Sequence, residues 1–217
     1  MIGSPARVIV GLASDYDLTV VGAHDRYTRG KPGLGPVASR VVASAPNAVL
    51  IGRESPDDRA WRVLVAVDGS LASERALNWM GANFDVQAAE ITVMSVTETP
   101  WVHLGLGMEW FDLPKEMIDR TGNEVEVAIE NELHYETEHL VEAARSLLER
   151  HGLSATTMIC EGDPALEIIS EAEKVEYDLI VMGATGESDL KHRLLGSVST
   201  KVAQDAPCSV FVAKFSE

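Results

Sequence analysis

Tyr177-Asp178-Leu179-Ile180-Val181-Met182-Gly183-Ala184-Thr185-Gly186 carries a four-residue apolar run, Leu179 to Met182, into a Gly-Ala-Thr-Gly turn. Four consecutive apolar side chains without polar alternation fit a strand buried on both faces, as in a parallel sheet covered by helices on either side. A near copy lies far upstream, Tyr16-Asp17-Leu18-Thr19-Val20-Val21-Gly22-Ala23, at an offset of 161 positions (16 to 177, 23 to 184). The same offset pairs Gly35 with Gly196, Val37 with Val198, Ser39 with Thr200, Val41 with Val202, Ala45 with Ala206 and Pro46 with Pro207. Gly3-Ser4-Pro5-Ala6 matches Gly162-Asp163-Pro164-Ala165 after a two-residue slip. A register held from Tyr16 to Pro46 marks an internal repeat. Residues 1–53 therefore read as the C-terminal half of a unit whose complete form is residues 59–217.

Between the two copies the pattern alternates strand with helix. Trp61 to Asp68 is an apolar β-rich run closed by Asp68-Gly69-Ser70, and Ser70 can cap a helix to about Gly81. Glu90 to Val96 predicts a second strand. From Asn123 to Arg150, Val125, Ile129, Leu133, Leu140, Ala144, Leu147 and Leu148 recur at helical spacing, with Gly152 where a C-terminal glycine belongs. Ala155 to Cys160 is a third strand, and Asp163-Pro164 is a cap followed by proline at the first helical position, opening a helix to about Lys174. Leu179 to Met182 and Cys208 to Ala213 are the fourth and fifth strands, with a helix from about Val198 to Asp205 between them. Such alternation predicts an α/β fold with a doubly wound, parallel five-stranded sheet; residues 1–53 add two strands and two helices. In a sheet of this kind ligands bind beyond the carboxyl ends of the strands, at the topological switch point.

Composition narrows the function classes. The chain has 217 residues, 46% hydrophobic and 24% charged, which is ordinary globular composition. No apolar run reaches the roughly 18 residues of a membrane-spanning helix, and Met1 to Arg7 lacks the basic and apolar regions of a secretory signal, so a cytoplasmic protein without membrane partners is expected. A net charge of −16 repels phosphate backbones and argues against nucleic acid, yet leaves room for a small anion held by backbone amides. Cys160 and Cys208 sit in apolar β runs and predict buried thiols rather than a metal site or a disulfide framework.

The candidate site follows the fourth strand. Gly183-Ala184-Thr185-Gly186, nine residues, then Gly196-Ser197-Val198-Ser199 places two glycines just past a strand and a Gly-Ser at a helix start. Glycines there can adopt positive φ and let a ligand approach the backbone, while the free amides and positive end of the helix favour phosphate. The hydroxyls of Ser197 and Ser199 can add hydrogen bonds to phosphate oxygens. Turn glycines of purely structural purpose are the alternative.

Gly183-x-x-Gly186, nine residues, Gly196-Ser197 resembles the nucleotide-binding signature of the universal stress protein family, in its ATP-binding branch. The resemblance covers the whole chain, residues 59–217 as a full domain and 1–53 as half of another. It implies a Rossmann-like fold of the adenine-nucleotide alpha-hydrolase type and an ATP ligand, with AMP or ADP as alternatives and Mg as a companion ion. It places Asp68 by the ribose or adenine, with Ala66 and Val67 lining the base pocket and the Val96 backbone on the adenine. Met182 and Gly183 would wall the pocket; Gly186, Gly196, Ser197, Val198 and Ser199 would hold ribose and phosphates. For Asp68, capping of the Asp-Gly-Ser turn is the competing role. The upstream copy departs from the motif, with Asp25 for the second glycine and Pro36 for the serine, which removes an amide donor and a hydroxyl.

No Ser-His-Asp elbow, lysine-bearing P-loop or His-rich metal spacing is visible. No catalytic residue and no metal ligand is assigned, and slow ATP hydrolysis or autophosphorylation is the most that is expected. A nucleotide-dependent stress-response or signalling module is the leading reading, and a nucleotide-free interaction module the alternative. Lys191-His192-Arg193 can touch a γ-phosphate or be a solvated tip. Trp101 to Phe111 can be a flap, an oligomer contact or a loop packed on its own domain. In the resembling family fifth strands pair antiparallel, so Ala48 to Ile51 is expected to pair with Ser209 to Val212. That leaves Leu18 to Val21 as an open apolar edge, from which a homo-oligomer or a covering segment is predicted.

Overall fold

The computed structural model describes residues 4–24, 33–55, 59–97, 123–186 and 195–214, with backbone alone for 123–133. Chain order is α1 (Pro5–Ala13), β1 (Leu18–Gly22), α2 (Pro36–Ser44), β2 (Ala48–Gly52), β3 (Arg62–Ala66), α3 (Leu71–Asn83), β4 (Glu90–Thr97), α4 (Asn123–Arg150), β5 (Ala155–Glu161), α5 (Pro164–Val175), β6 (Leu179–Gly183), α6 (Ser197–Asp205) and β7 (Ser209–Ala213). The expected elements are present, with ends shifted by a residue or two. Asp25, Trp101 to Phe111 and Lys191-His192-Arg193 lie outside the described residues, as do the side chains of Val125, Ile129 and Leu133.

The strands form one seven-stranded sheet in the order β1-β2-β7-β6-β3-β4-β5. It is mixed rather than parallel throughout. The five strands of residues 59–217 run parallel, β1 runs parallel to β2, and the two blocks meet through an antiparallel β2–β7 ladder. That ladder is the expected pairing of Ala48 to Ile51 with Ser209 to Val212, and it merges both blocks into one sheet.

Its register is self-complementary. Leu50 stands opposite Phe211, its own equivalent at the offset of 161, flanked by Val49 with Val212 and Ile51 with Val210. The ends of β1 and β6, α2 and α6, and β2 and β7 all differ by that same 161. Arg53 and Lys214, again 161 apart, reach reciprocally across the junction. The Arg53 guanidinium donates to the Ala203 carbonyl (2.8 Å) and the Cys208 carbonyl (3.0 Å). Lys214 Nζ donates to the carbonyls of Val42 and Ala45. Each cation thus serves carbonyls at the C-terminal end of the other block's helix, where the dipole favours it.

Two apolar layers sandwich the sheet. One packs Ile180, Met182, Val210 and Val212 with α5 and α6, and continues under α1 and α2 through Val41, Val49 and Ile51. The other packs Val63, Val65, Val181 and Phe211 under α3 and α4. Phe211 anchors the second layer: it stacks on Trp79 (4.8 Å) and meets Phe84 edge-on (5.3 Å). Full burial of such a side chain contributes about 1.5–3 kcal/mol.

The connection between the blocks is pinned by Asp178, only 3% exposed. Its carboxylate accepts from Ser55 Oγ (2.6 Å), Arg59 Nη1 (2.7 Å) and the Arg62 amide (2.8 Å). Burial alone would raise this carboxyl's pKa, but the bonds from Ser55, Arg62 and Arg59 outweigh it and hold it below the ordinary value. Cys208 is buried and its thiol is pushed up to about 12, whereas Cys160, expected buried, is half-exposed because β5 is an edge strand.

Candidate functional site

A cavity of about 780 Å³ opens at the carboxyl ends of β3, β4 and β6, where the strand order reverses. Ala66, Val67, Asp68, Val96, Met182, Gly183, Gly186, Gly196, Ser197, Val198 and Ser199 all line it. The position follows from topology: β3 feeds α3 on one face of the sheet, β6 leads towards α6 on the other, and a crevice opens between them.

Three helices begin at this rim, and they differ in how their first amides are satisfied. Ser70 Oγ accepts from the Ser73 amide at the start of α3. Asp163 Oδ1 accepts from the Leu166 amide at the start of α5. At α6 the N-cap is Gly196, which has no side chain to cap with, and the first helical bond is Thr200 N to Gly196 O (3.0 Å). The amides of Ser197, Val198 and Ser199 precede that bond and have no partner within the helix. They face the cavity with the positive end of the dipole, and Ser197 is exposed there.

The opposite wall is strand backbone. The Val67 amide donates to the Met94 carbonyl (2.9 Å), and β3 then turns away at Asp68-Gly69-Ser70. Strand alternation puts the N–H and C=O of Val96 on that same edge of β4, beyond the last residue of β3 that can reach them. A donor and an acceptor side by side suit a planar heterocycle. Pro164, Ile168 and Leu140 supply apolar surface around it.

Several of these residues also have local roles in the fold. Neither Gly183 nor Gly186 adopts positive φ; the left-handed glycine of the site is Gly69, at φ 81°. Gly183 is required by packing, since a Cβ there would stand 2.8 Å from the backbone of Ala72 and Ser73 in α3. A Cβ on Gly186 would come 3.0 Å from Asp68 Oδ2, so this glycine borders the cavity under the carboxylate. The Ser199 hydroxyl is directed inward: it lies 2.6 Å from the Ala184 carbonyl and 3.1 Å from that of Gly196, and latches α6 to the end of β6. Asp68 does cap its turn, its Oδ1 accepting from the Ser70 amide (3.1 Å) and hydroxyl (2.6 Å), while Oδ2 faces Gly186.

The rim also holds Glu136 and Thr137 of α4, Thr97 at the end of β4 and Thr185 after β6, none singled out by the sequence. The signal for Thr97 was its place directly after Val96; Glu136 and Thr137 depend on how α4 crosses the sheet. Among the described residues, the lining carries two carboxylates, Asp68 and Glu136, and no lysine or arginine.

Comparison with known proteins fits this geometry. The model of the universal stress protein family matches residues 61–214. This chain belongs to the universal stress protein family. The universal stress protein YxiE of Bacillus subtilis is 33% identical over 153 residues, 70% of this chain and 98% of the relative. The solved structure of MJ0577, a Methanocaldococcus jannaschii universal stress protein, superposes with a TM-score of 0.58 at 26% identity, over 73% of this chain and 98% of that one. A universal stress protein structure from Archaeoglobus fulgidus covers 99% of this chain and 68% of its own, with a TM-score of 0.65 at 22% identity. Family membership thus rests on residues 61–214, and the fold likeness extends over the N-terminal block as well.

Proposed function

We propose that this universal stress protein binds one adenine nucleotide, ATP in the first instance, in the crevice between β3, β4 and β6, as a nucleotide-dependent stress-response or signalling module. The observation that carries it is the pairing of two binding features across one cavity. Free amides at the uncapped start of α6 take the phosphates, and the open backbone edge at Val96 takes the base. Gly186 and Gly196 keep the phosphate path clear of side chains, and Asp68 Oδ2 stands within reach of a ribose hydroxyl. With Asp68 and Glu136 at the rim and no cationic side chain among the described lining residues, phosphate charge is balanced by amide dipoles and by Mg entering with the nucleotide.

Residues 1–53 are read as half of a second universal stress protein unit that holds no nucleotide. In that block Pro36 occupies the first position of α2 and contributes no N–H. Acid denaturation of freshly purified chain, with chromatography of the supernatant, tests the ligand class. Adenine nucleotide near one equivalent per chain supports the reading. A chain that releases none, and takes up none on incubation with Mg and ATP, contradicts it.

A further inference from the structure

α6 is the helix whose first amides face the cavity, and its two ends are held by different parts of the chain. Its start is pinned to the end of β6, where the Ala184 carbonyl accepts from the Gly196 amide (2.8 Å) and the Ser199 hydroxyl (2.6 Å). Its far end is held by the N-terminal block. Arg53 Nη2 donates to the Ala203 carbonyl (2.8 Å), among the last of the helix, and Nη1 to the Cys208 carbonyl (3.0 Å), just ahead of β7. The guanidinium thus forks between the final turn of α6 and the strand that follows it. Its own backbone is fixed in turn, because the Arg53 amide donates to Ser209 Oγ (3.0 Å). The Gln204 side chain lies 3.8 Å from where a Cβ on Gly33 would stand, a second contact from the same block.

The internal repeat gives this brace a counterpart for comparison. Lys214 donates to the carbonyl of Val42, the equivalent of Ala203, so each block holds the other's helix at the same place. The helices differ at their starts. α2 opens on Pro36, which carries no N–H, whereas α6 opens on Ser197, Val198 and Ser199. The helix with amides to offer is the one braced by arginine, whose planar fork fixes two carbonyls in one geometry, where a lysine is a point charge on a flexible stem. A helix of nine residues is about 13.5 Å long. With its start pinned at Ala184, its tilt is set at the other end.

We infer that Arg53 is a positioning residue of the nucleotide site, through which residues 1–53 set phosphate affinity from outside the cavity. The inference rests on the nucleotide reading given above. Without the guanidinium the Ala203 carbonyl loses its donor, and the last turn of α6 is free to shift. The amides of Ser197, Val198 and Ser199 then swing off the phosphate path. The edge of β4 at Val96, which takes the base, lies beyond β6 and β3 from the junction and stays in place.

Isothermal titration of the full chain with Mg and ATP, and with adenosine, which has no phosphates, tests this in wild type, Arg53→Met and Lys214→Met. Arg53→Met should lose about fivefold or more in ATP affinity, the size of effect carried through a packed network, and keep its adenosine affinity. Lys214→Met, which unties the same junction from the other side, should bind both ligands as wild type does. Arg53→Lys keeps the charge and lacks the fork; it should lose ATP affinity in the same direction, and serves where Arg53→Met does not fold. Undiminished ATP affinity in the Arg53 variants, an equal loss for adenosine, or an equal loss in Lys214→Met would overturn this inference alone. A wild type that takes up neither ligand would overturn the nucleotide reading and the inference together.

Discussion

Lys214 shows how one residue ties the two blocks together and makes stability depend on pH. It is 8% exposed at the end of β7, and its Nζ is set against the Val42 and Ala45 carbonyls. Burial pulls its pKa from 10.5 down to about 8. Between those pH values the unfolded chain holds the proton and the folded chain has released it, so folding stability gains as pH rises through this window. The gain is up to about 3 kcal/mol and is absent from Lys214→Met. Urea unfolding of both proteins from pH 7 to 11 checks it. The wild-type minus variant difference should be flat below about pH 8 and climb towards pH 10.5; a difference flat across the whole range contradicts it. At this scale the sequence was least informative. Nothing in Lys214 or Arg53 announces a carbonyl partner about 150 or more positions away. Likewise the inward rotamer of Ser199 depends on where the Ala184 carbonyl ends up, which motif spacing does not encode.

At the scale of elements, legibility was high wherever a period or a cap decided the matter. Apolar runs located β3, β6 and β7, Ser70 and Asp163 marked helix starts, and Gly152 at φ 76° closes α4 as its position implied. The site glycines are the instructive exception. Their spacing is plain in the sequence, but spacing does not say whether a glycine makes room for a ligand or for a helix. The structure separates them: Gly183 faces α3 backbone at 2.8 Å, whereas a Cβ on Gly196 would find nothing nearer than 3.5 Å. Gly183→Ala should therefore force α3 away from β6 and cost about 1–3 kcal/mol, as overpacking does. Gly196→Ala should cost less than about 1 kcal/mol, the usual loss of a modest cap preference. Thermal melts of the two variants check this, and equal destabilisation would contradict the packing role given to Gly183.

At the scale of the whole molecule, one seven-stranded sheet carries two unlike ends. The family resemblance made its junction legible, since it implies antiparallel pairing of Ala48 to Ile51 with Ser209 to Val212, and the ladder sets Leu50 opposite Phe211. The crevice was legible as well, since doubly wound sheets open where strand order reverses. What the sequence did not contain was the anchoring of the linker by Asp178 or the passage of α4 over the site, both products of long-range packing. The central claim is that nucleotide binds once per chain, between Val96 and the start of α6. Isothermal titration of ATP with Mg into nucleotide-stripped wild type and Gly186→Asp tests it directly. The variant sets a second carboxylate beside Asp68 Oδ2, already 3.0 Å from a Cβ at that position. The prediction is one site per wild-type chain and at least a tenfold weaker affinity in the variant, about 1.4 kcal/mol; two sites, none, or undiminished binding by Gly186→Asp would contradict it.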